Sequence, residues 1–128
     1  MINKKTKIIF WAAGVIIVIG GIAGGVFYYS TPGQYDEFVR CLKEKKAIFY
    51  GAFWCHHCQN QKEMFGRSAR LLPYVECSTP DGRGQKETCQ KAEITSYPTW
   101  EFSDGSRLTG SLSLQQLSDK TTCAVSSS

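Results

Sequence analysis

The sequence predicts an α/β domain, a mixed sheet flanked by helices, carried behind one N-terminal transmembrane helix. Three observations lead there. Residues 8–29 contain no charged side chain. A short aromatic-rich run, residues 47–53, feeds directly into Trp54-Cys55-His56-His57-Cys58 at the head of a helical pattern. Further on, Asp104-Gly105 separates two short strand-like runs, a strong hairpin signal.

Taken in order, residues 8–29 span about 33 Å as a helix, enough to cross a bilayer. Lys4, Lys5 and Lys7 precede them, which places residues 1–7 in the cytoplasm and sends the rest of the chain across. Trp11 at one end and Tyr28 with Tyr29 at the other read as interfacial anchors. The competing reading is a cleaved signal peptide with Ala23-Gly24-Gly25 as its cleavage site, but the apolar run exceeds the usual h-region. Gly20, Gly21, Gly24 and Gly25 set two overlapping G-x-x-x-G spacings, a helix-packing face or simply small residues in lipid. The formal charge of +4 is mostly this topology signal: without the three lysines, 12 basic residues face 11 acidic ones. No basic face for nucleic acid is left, and nucleic acid is not an expected partner.

Residues 30–34 form a turn-rich linker and residues 35–123 the folded domain, with residues 124–128 as a flexible tail. Within the domain, Phe38, Val39 and Leu42 put an apolar face on a helix over residues 35–45, whose lysines lie near its C-terminus. Residues 47–53 read as a buried strand. A helix starts at Cys55 and continues to about residue 71, with Met64, Phe65, Ala69 and Leu72 at near-helical spacing. Residues 71–77 make a second strand, interrupted early by Pro73, and a turn-rich loop over 78–84 leads to a helix over 85–93. Strands at 99–102 and 107–110 form the hairpin, with Trp100 in its core. Ser113 is the N-cap of a last helix that contains Leu114 and Leu117.

A strand delivering C-x-x-C to a helix start is the context of a redox dithiol. The helix N-terminus offers unpaired N–H groups and the positive end of the macrodipole, which favour a thiolate at Cys55. Cys58 is one turn on, within disulfide reach, and His57 when protonated would help. Other readings fit less well. Cys55, His56, His57 and Cys58 are four potential zinc ligands, but four consecutive residues do not converge easily on one tetrahedral ion, so no metal is expected. Covalent haem needs His directly after the second cysteine, where Gln59 stands. An inert disulfide remains the bland alternative, as do solvated, functionless histidines. The six cysteines suit an oxidising compartment. Setting the dithiol aside, Cys41, Cys77, Cys89 and Cys123 allow three pairings. The turn-rich loop favours Cys77–Cys89, leaving Cys41–Cys123 as a possible second disulfide.

This order of elements, with Trp54-Cys55-x-x-Cys58 at the first strand–helix junction and Tyr97-Pro98 before the hairpin, resembles the thioredoxin fold. More narrowly, residues 50–66, Tyr74-Val75-Glu76-Cys77 and Ser96-Tyr97-Pro98-Thr99-Trp100 resemble the thioredoxin-like domain fused to, or working beside, bacterial and plastid homologues of vitamin K epoxide reductase (VKOR). The resemblance implies that Cys55 attacks and carries the mixed disulfide, that Cys58 resolves it, and that Pro98 is a cis-proline facing them. It further implies that Tyr97 and Pro98 meet substrate, and that Cys77 and Cys89 form an additional pair; Trp54, beside the dithiol, reads as wall and partial lid of the substrate site. Phe49 stands where cytoplasmic thioredoxins carry a buried acid, which favours an oxidase over a reductase. One span cannot contain the four-helix quinone-reducing enzyme, so the implied VKOR-like partner is a separate membrane polypeptide. The expected function is a membrane-tethered, extracytoplasmic oxidation of cysteine-containing exported proteins, facing the periplasm, the cell exterior or a thylakoid lumen. Its only cofactor is its own redox-active disulfide. The alternatives are a thiol–disulfide reductase or isomerase, or a non-catalytic thioredoxin-like binding module, against which the retention of both cysteines argues.

Overall fold

The computed structural model describes residues 2–126, and the tail expected at 124–128 falls partly outside them. The chain divides between Thr31 and Pro32 into two units. The first is a single helix, α1 (Lys4–Ser30), of 27 residues. None of its side chains is buried, and its length and apolar character suffice to cross a membrane, as those of a signal sequence also do.

The second unit contains α2 (Asp36–Glu44), β1 (Ile48–Gly51), α3 (His56–Glu63), a 3₁₀ turn (Gly66–Leu71), β2 (Tyr74–Glu76), α4 (Glu87–Lys91), β3 (Thr99–Glu101), β4 (Arg107–Thr109) and α5 (Leu114–Thr121). The four strands form one sheet in the order β2-β1-β3-β4, with β1 parallel to β2 and antiparallel to β3. β3 and β4 are the expected hairpin, closed by Gly105 at φ +79° and by Asp104 Oδ1, which accepts the Ser106 N–H at 2.9 Å. This is the α/β class that the sequence predicts, a mixed sheet with helices.

Alternation along β1 sends neighbouring side chains to opposite faces. Phe49 enters the larger core with Phe38, Val39 and Leu42 of α2, Phe65, Trp100 and Leu117 of α5. Its ring stacks on Trp100 at 4.9 Å and meets Tyr74 edge-on at 5.1 Å. Tyr50 belongs to a smaller cluster with Cys77, Cys89 and Ile94. Two disulfides pin these layers. Cys77–Cys89 closes the loop between β2 and α4, and Cys41–Cys123 joins α2 to the segment after α5.

The helix expected from Cys55 to residue 71 is two elements. α3 stops at Glu63, and Gly66 turns the chain with φ +53°, a left-handed conformation that glycine adopts without penalty. The break lets Phe65 enter the core while Met64, expected on the apolar face, is left 41% exposed. The inward face of α3 is instead Cys58 and Gln61, continued by Phe65.

Candidate functional site

Where β1 ends at Gly51, the chain must turn before α3 can start. The Ala52 carbonyl accepts the Cys55 N–H at 3.0 Å, which closes that turn and leaves Cys55 in extended geometry as the N-cap of α3. Its Sγ accepts the backbone N–H of Cys58 at 3.3 Å, so a sulfur does what a Ser or Asp oxygen does at an ordinary cap. Both cysteines are free thiols. They differ in environment: Cys55 keeps 7% exposure, whereas Cys58 is wholly enclosed. Burial first, and then hydrogen bonding with Cys55, push the Cys58 thiol up to about 12.

The loop before Cys55 is held from several sides. Gln59 Nε2 donates to the Phe53 carbonyl at 2.8 Å. Glu76 Oε1 accepts the Phe53 N–H at 3.2 Å and the Ser78 N–H at 2.9 Å. The Ser78 hydroxyl in turn accepts the Trp54 indole N–H at 3.0 Å. Phe53 and Trp54 are nonetheless about half exposed and make an apolar shelf beside the thiols. Gly82, in the loop closed by Cys77–Cys89, lies next to both rings.

Tyr97–Pro98 is a cis peptide bond, and Pro98 is buried. Its carbonyl accepts the Gly110 N–H at 2.8 Å, fixing the segment to the end of β4. The Tyr97 ring meets Trp54 edge-on at 5.9 Å, and its hydroxyl accepts Gln85 Nε2 at 2.7 Å. Trp54 and Tyr97, both expected at the substrate face, are therefore brought together. His56 and His57 project from the start of α3 into solvent, their rings 6.4 Å apart, and the His57 carbonyl accepts the Ser111 hydroxyl at 3.0 Å. Among the described residues no three His, Cys, Asp or Glu side chains are placed to hold a metal ion.

Two features escape a reading of the sequence. Gln61 is completely buried and bonded to Leu112 and Trp100. The only hint is its spacing between Cys58 and Phe65 on one helical face. On β2, Tyr74 lies against the same space beside Gly51 as Cys58, and its hydroxyl donates to Glu76 at 2.7 Å. Two residues apart on a strand, they lie on one face, but nothing local says that the face points at a cysteine.

Comparison with known proteins agrees with this architecture. Over 80 residues the chain is 49% identical to Thiol-disulfide oxidoreductase LTO1 of Arabidopsis thaliana, covering 59% of this chain and 21% of that protein. It is 37% identical over 73 residues to human DnaJ homolog subfamily C member 10, covering 56% and 9% respectively. With the rice Protein disulfide isomerase-like 5-1 the identity is 29% over 72 residues, covering 52% and 49%. The chain thus spans half or less of each of these relatives. Residues 26–122 match the family model described as Thioredoxin, and that stretch takes in the mixed sheet, the Cys55–Cys58 helix start and the cis-proline: the chain belongs to the thioredoxin family.

Proposed function

We propose that this chain is a membrane-tethered, extracytoplasmic thiol–disulfide oxidoreductase that passes the Cys55–Cys58 disulfide to cysteine-containing exported proteins. The observation that carries the reading is the asymmetry of the two thiols: Cys55 caps a helix N-terminus and keeps 7% exposure, whereas Cys58 is wholly enclosed. A substrate thiolate attacks Cys55 Sγ, the Cys55–Cys58 bond breaks, and Cys58 leaves with the electron pair and takes up a proton. A second substrate thiolate then attacks the mixed disulfide, and Cys55 departs as a thiolate that the helix N-terminus stabilises. The substrate gains a disulfide and the domain is left as a dithiol.

The shelf of Phe53, Trp54 and Tyr97 is the apolar surface on which an extended substrate segment lies beside Cys55, with Pro98 behind it. His57, at the exposed start of α3, adds positive charge when protonated. Kinship with LTO1 and Protein disulfide isomerase-like 5-1, whose names state this chemistry, supports the exchange reaction. The oxidative direction rests on Phe49, an aromatic core residue where an acid would serve a reductase. Regeneration falls to a VKOR-like, quinone-reducing membrane protein that takes the electron pair from the dithiol. The anchor at residues 8–29 keeps the domain at the membrane where such a partner resides, and the three lysines ahead of it put the domain on the far side from the cytoplasm.

The test is the reduction potential of Cys55–Cys58 in the full-length chain in detergent, equilibrated against glutathione. A value of roughly −180 to −120 mV is expected for an oxidant. One near −270 mV, typical of thioredoxin, marks a reductant and overturns the proposed direction. A chain that exchanges no disulfide with glutathione at all is a binding module.

A further inference from the structure

We infer that Glu76, acting through the Tyr74 hydroxyl, takes the proton from Cys58 when that thiol attacks and returns it when Cys58 leaves. The inference rests on the dithiol exchange proposed above, in which a buried thiol must change its protonation state in every cycle. The core face of β1 offers no group for this, because it presents Phe49, stacked on Trp100 and met edge-on by Tyr74. The parallel neighbour, β2, does. Tyr74 pairs in register with Phe49, and Glu76 with Gly51.

Gly51 makes the approach possible. A Cβ on Gly51 would lie 2.8 Å from Tyr74 Cε2, 3.3 Å from the Tyr74 hydroxyl and 3.0 Å from Cys58 Sγ. Phenol and thiol therefore both border the space that any other side chain at this position would fill. The Tyr74 hydroxyl donates to Glu76 Oε2 at 2.7 Å, which leaves the phenol oxygen free to accept. Glu76 is only partly buried, so its carboxyl can exchange the proton with solvent. The titratable groups around Cys58 are Cys55 on the preceding loop, Lys62 on its own helix, and Tyr74 from β2. Lys62 Nζ sits 3.5 Å from the centroid of the Tyr74 ring. Burial, followed by the bond to Glu76, pushes the Tyr74 phenol upward, so it relays a proton without itself staying ionised.

The step balances. The Cys58 S–H proton passes to the Tyr74 oxygen as the Tyr74 O–H proton passes to Glu76 Oε2, leaving a thiolate, an intact phenol and a carboxylic acid. The thiolate attacks Cys55 Sγ in the mixed disulfide, the bond from Cys55 to the partner sulfur breaks, and the partner leaves as a thiolate with the electron pair. In the opposite direction the same proton runs back from Glu76 to the departing Cys58.

The experiment uses the full-length chain in detergent, reduced to two thiols, and follows its reaction with dithio-bis-nitrobenzoate by stopped flow. The first thionitrobenzoate released reports attack by Cys55, and the second reports attack by Cys58 on the mixed disulfide. Tyr74→Phe keeps the ring, and Glu76→Gln keeps an oxygen for the Phe53 and Ser78 amides, so both should fold. Each is expected to lower the ratio of the second rate to the first by about a hundredfold near neutral pH, the low end for a positioned acid–base group. That ratio should climb back towards wild type as rising pH lets bases in solution remove the proton. A ratio unchanged in either variant overturns the relay, including the case in which a loosened loop slows both releases alike. A wild-type chain with no second release overturns the exchange reading, and this inference with it.

Discussion

One buried amide does much to hold the dithiol helix in place. Gln61 Nε2 donates to the Leu112 carbonyl at 3.0 Å, while its Oε1 accepts the Leu112 N–H at 2.7 Å and the Trp100 indole N–H at 3.2 Å. A side chain thus pairs with Leu112 as a strand would, and ties α3, one turn past Cys58, to β3 and to the approach to α5. Replacing it with leucine leaves three buried polar groups unpaired, each costing about 1–3 kcal/mol. Gln61→Leu should therefore lose at least about 3 kcal/mol, read as a lower midpoint in denaturant. At this scale the sequence is informative only where the signal is local. Trp54, Cys55, Cys58 and Pro98 announce themselves by spacing. Gln61 does not, because its partner Leu112 is 51 residues away, and Tyr74 and Glu76 become meaningful only once β2 lies beside β1.

Between elements, the contact of α2 with the 3₁₀ turn is electrostatic as well as apolar. Arg70 makes two bonds to the buried Asp36 carboxylate, at 2.9 and 2.8 Å, and the Ser68 hydroxyl accepts the Tyr35 N–H at 2.9 Å. The Arg70 bonds, opposed by burial and aided by Ser68 and the Gly33 backbone, hold the Asp36 carboxyl well below the usual carboxylate range. A depressed carboxyl stabilises the fold above the unfolded-state value, about 3.9, and loses that contribution as pH falls below it. Wild-type stability, followed by urea denaturation, should drop between about pH 4 and pH 2. Arg70→Ala should destabilise the fold at neutral pH, since it leaves the buried Asp36 carboxylate without its ion pair, and should flatten that acid limb. The same turn explains why one long helix was the wrong expectation. The apolar spacing from Met64 to Leu72 is nearly helical, but the Tyr35–Ser68 and Asp36–Arg70 contacts and Gly66 favour a 3₁₀ turn that periodicity does not reveal.

Across the whole molecule, the fold class is legible because its markers are short-range: a charge-free run, a strand feeding C-x-x-C, and Asp104-Gly105. The covalent frame is less so, since the cysteines permit several pairings and only proximity in the fold chooses among them. The structure bonds Cys41 to Cys123 across 82 residues and Cys77 to Cys89 across 12. In the chain-entropy model these closures contribute about 4.5 and about 2.8 kcal/mol. Replacing Cys41 and Cys123 by alanine should accordingly destabilise the domain more than replacing Cys77 and Cys89, as thermal or chemical denaturation of the two double variants will show.

The Cys41–Cys123 bond also decides how the domain bears load. Tension applied between the two ends of the chain enters at residue 32, runs through the first turns of α2 to Cys41, crosses a single S–S bond to Cys123 and leaves by the last residues. Residues 42–122 lie inside a covalent ring that this path bypasses, and the ring contains the sheet, the Trp54–Tyr97 shelf and both working thiols. Tension that has pulled the segment before Cys41 free of its packing would thus have a covalent path that leaves out the reactive centre.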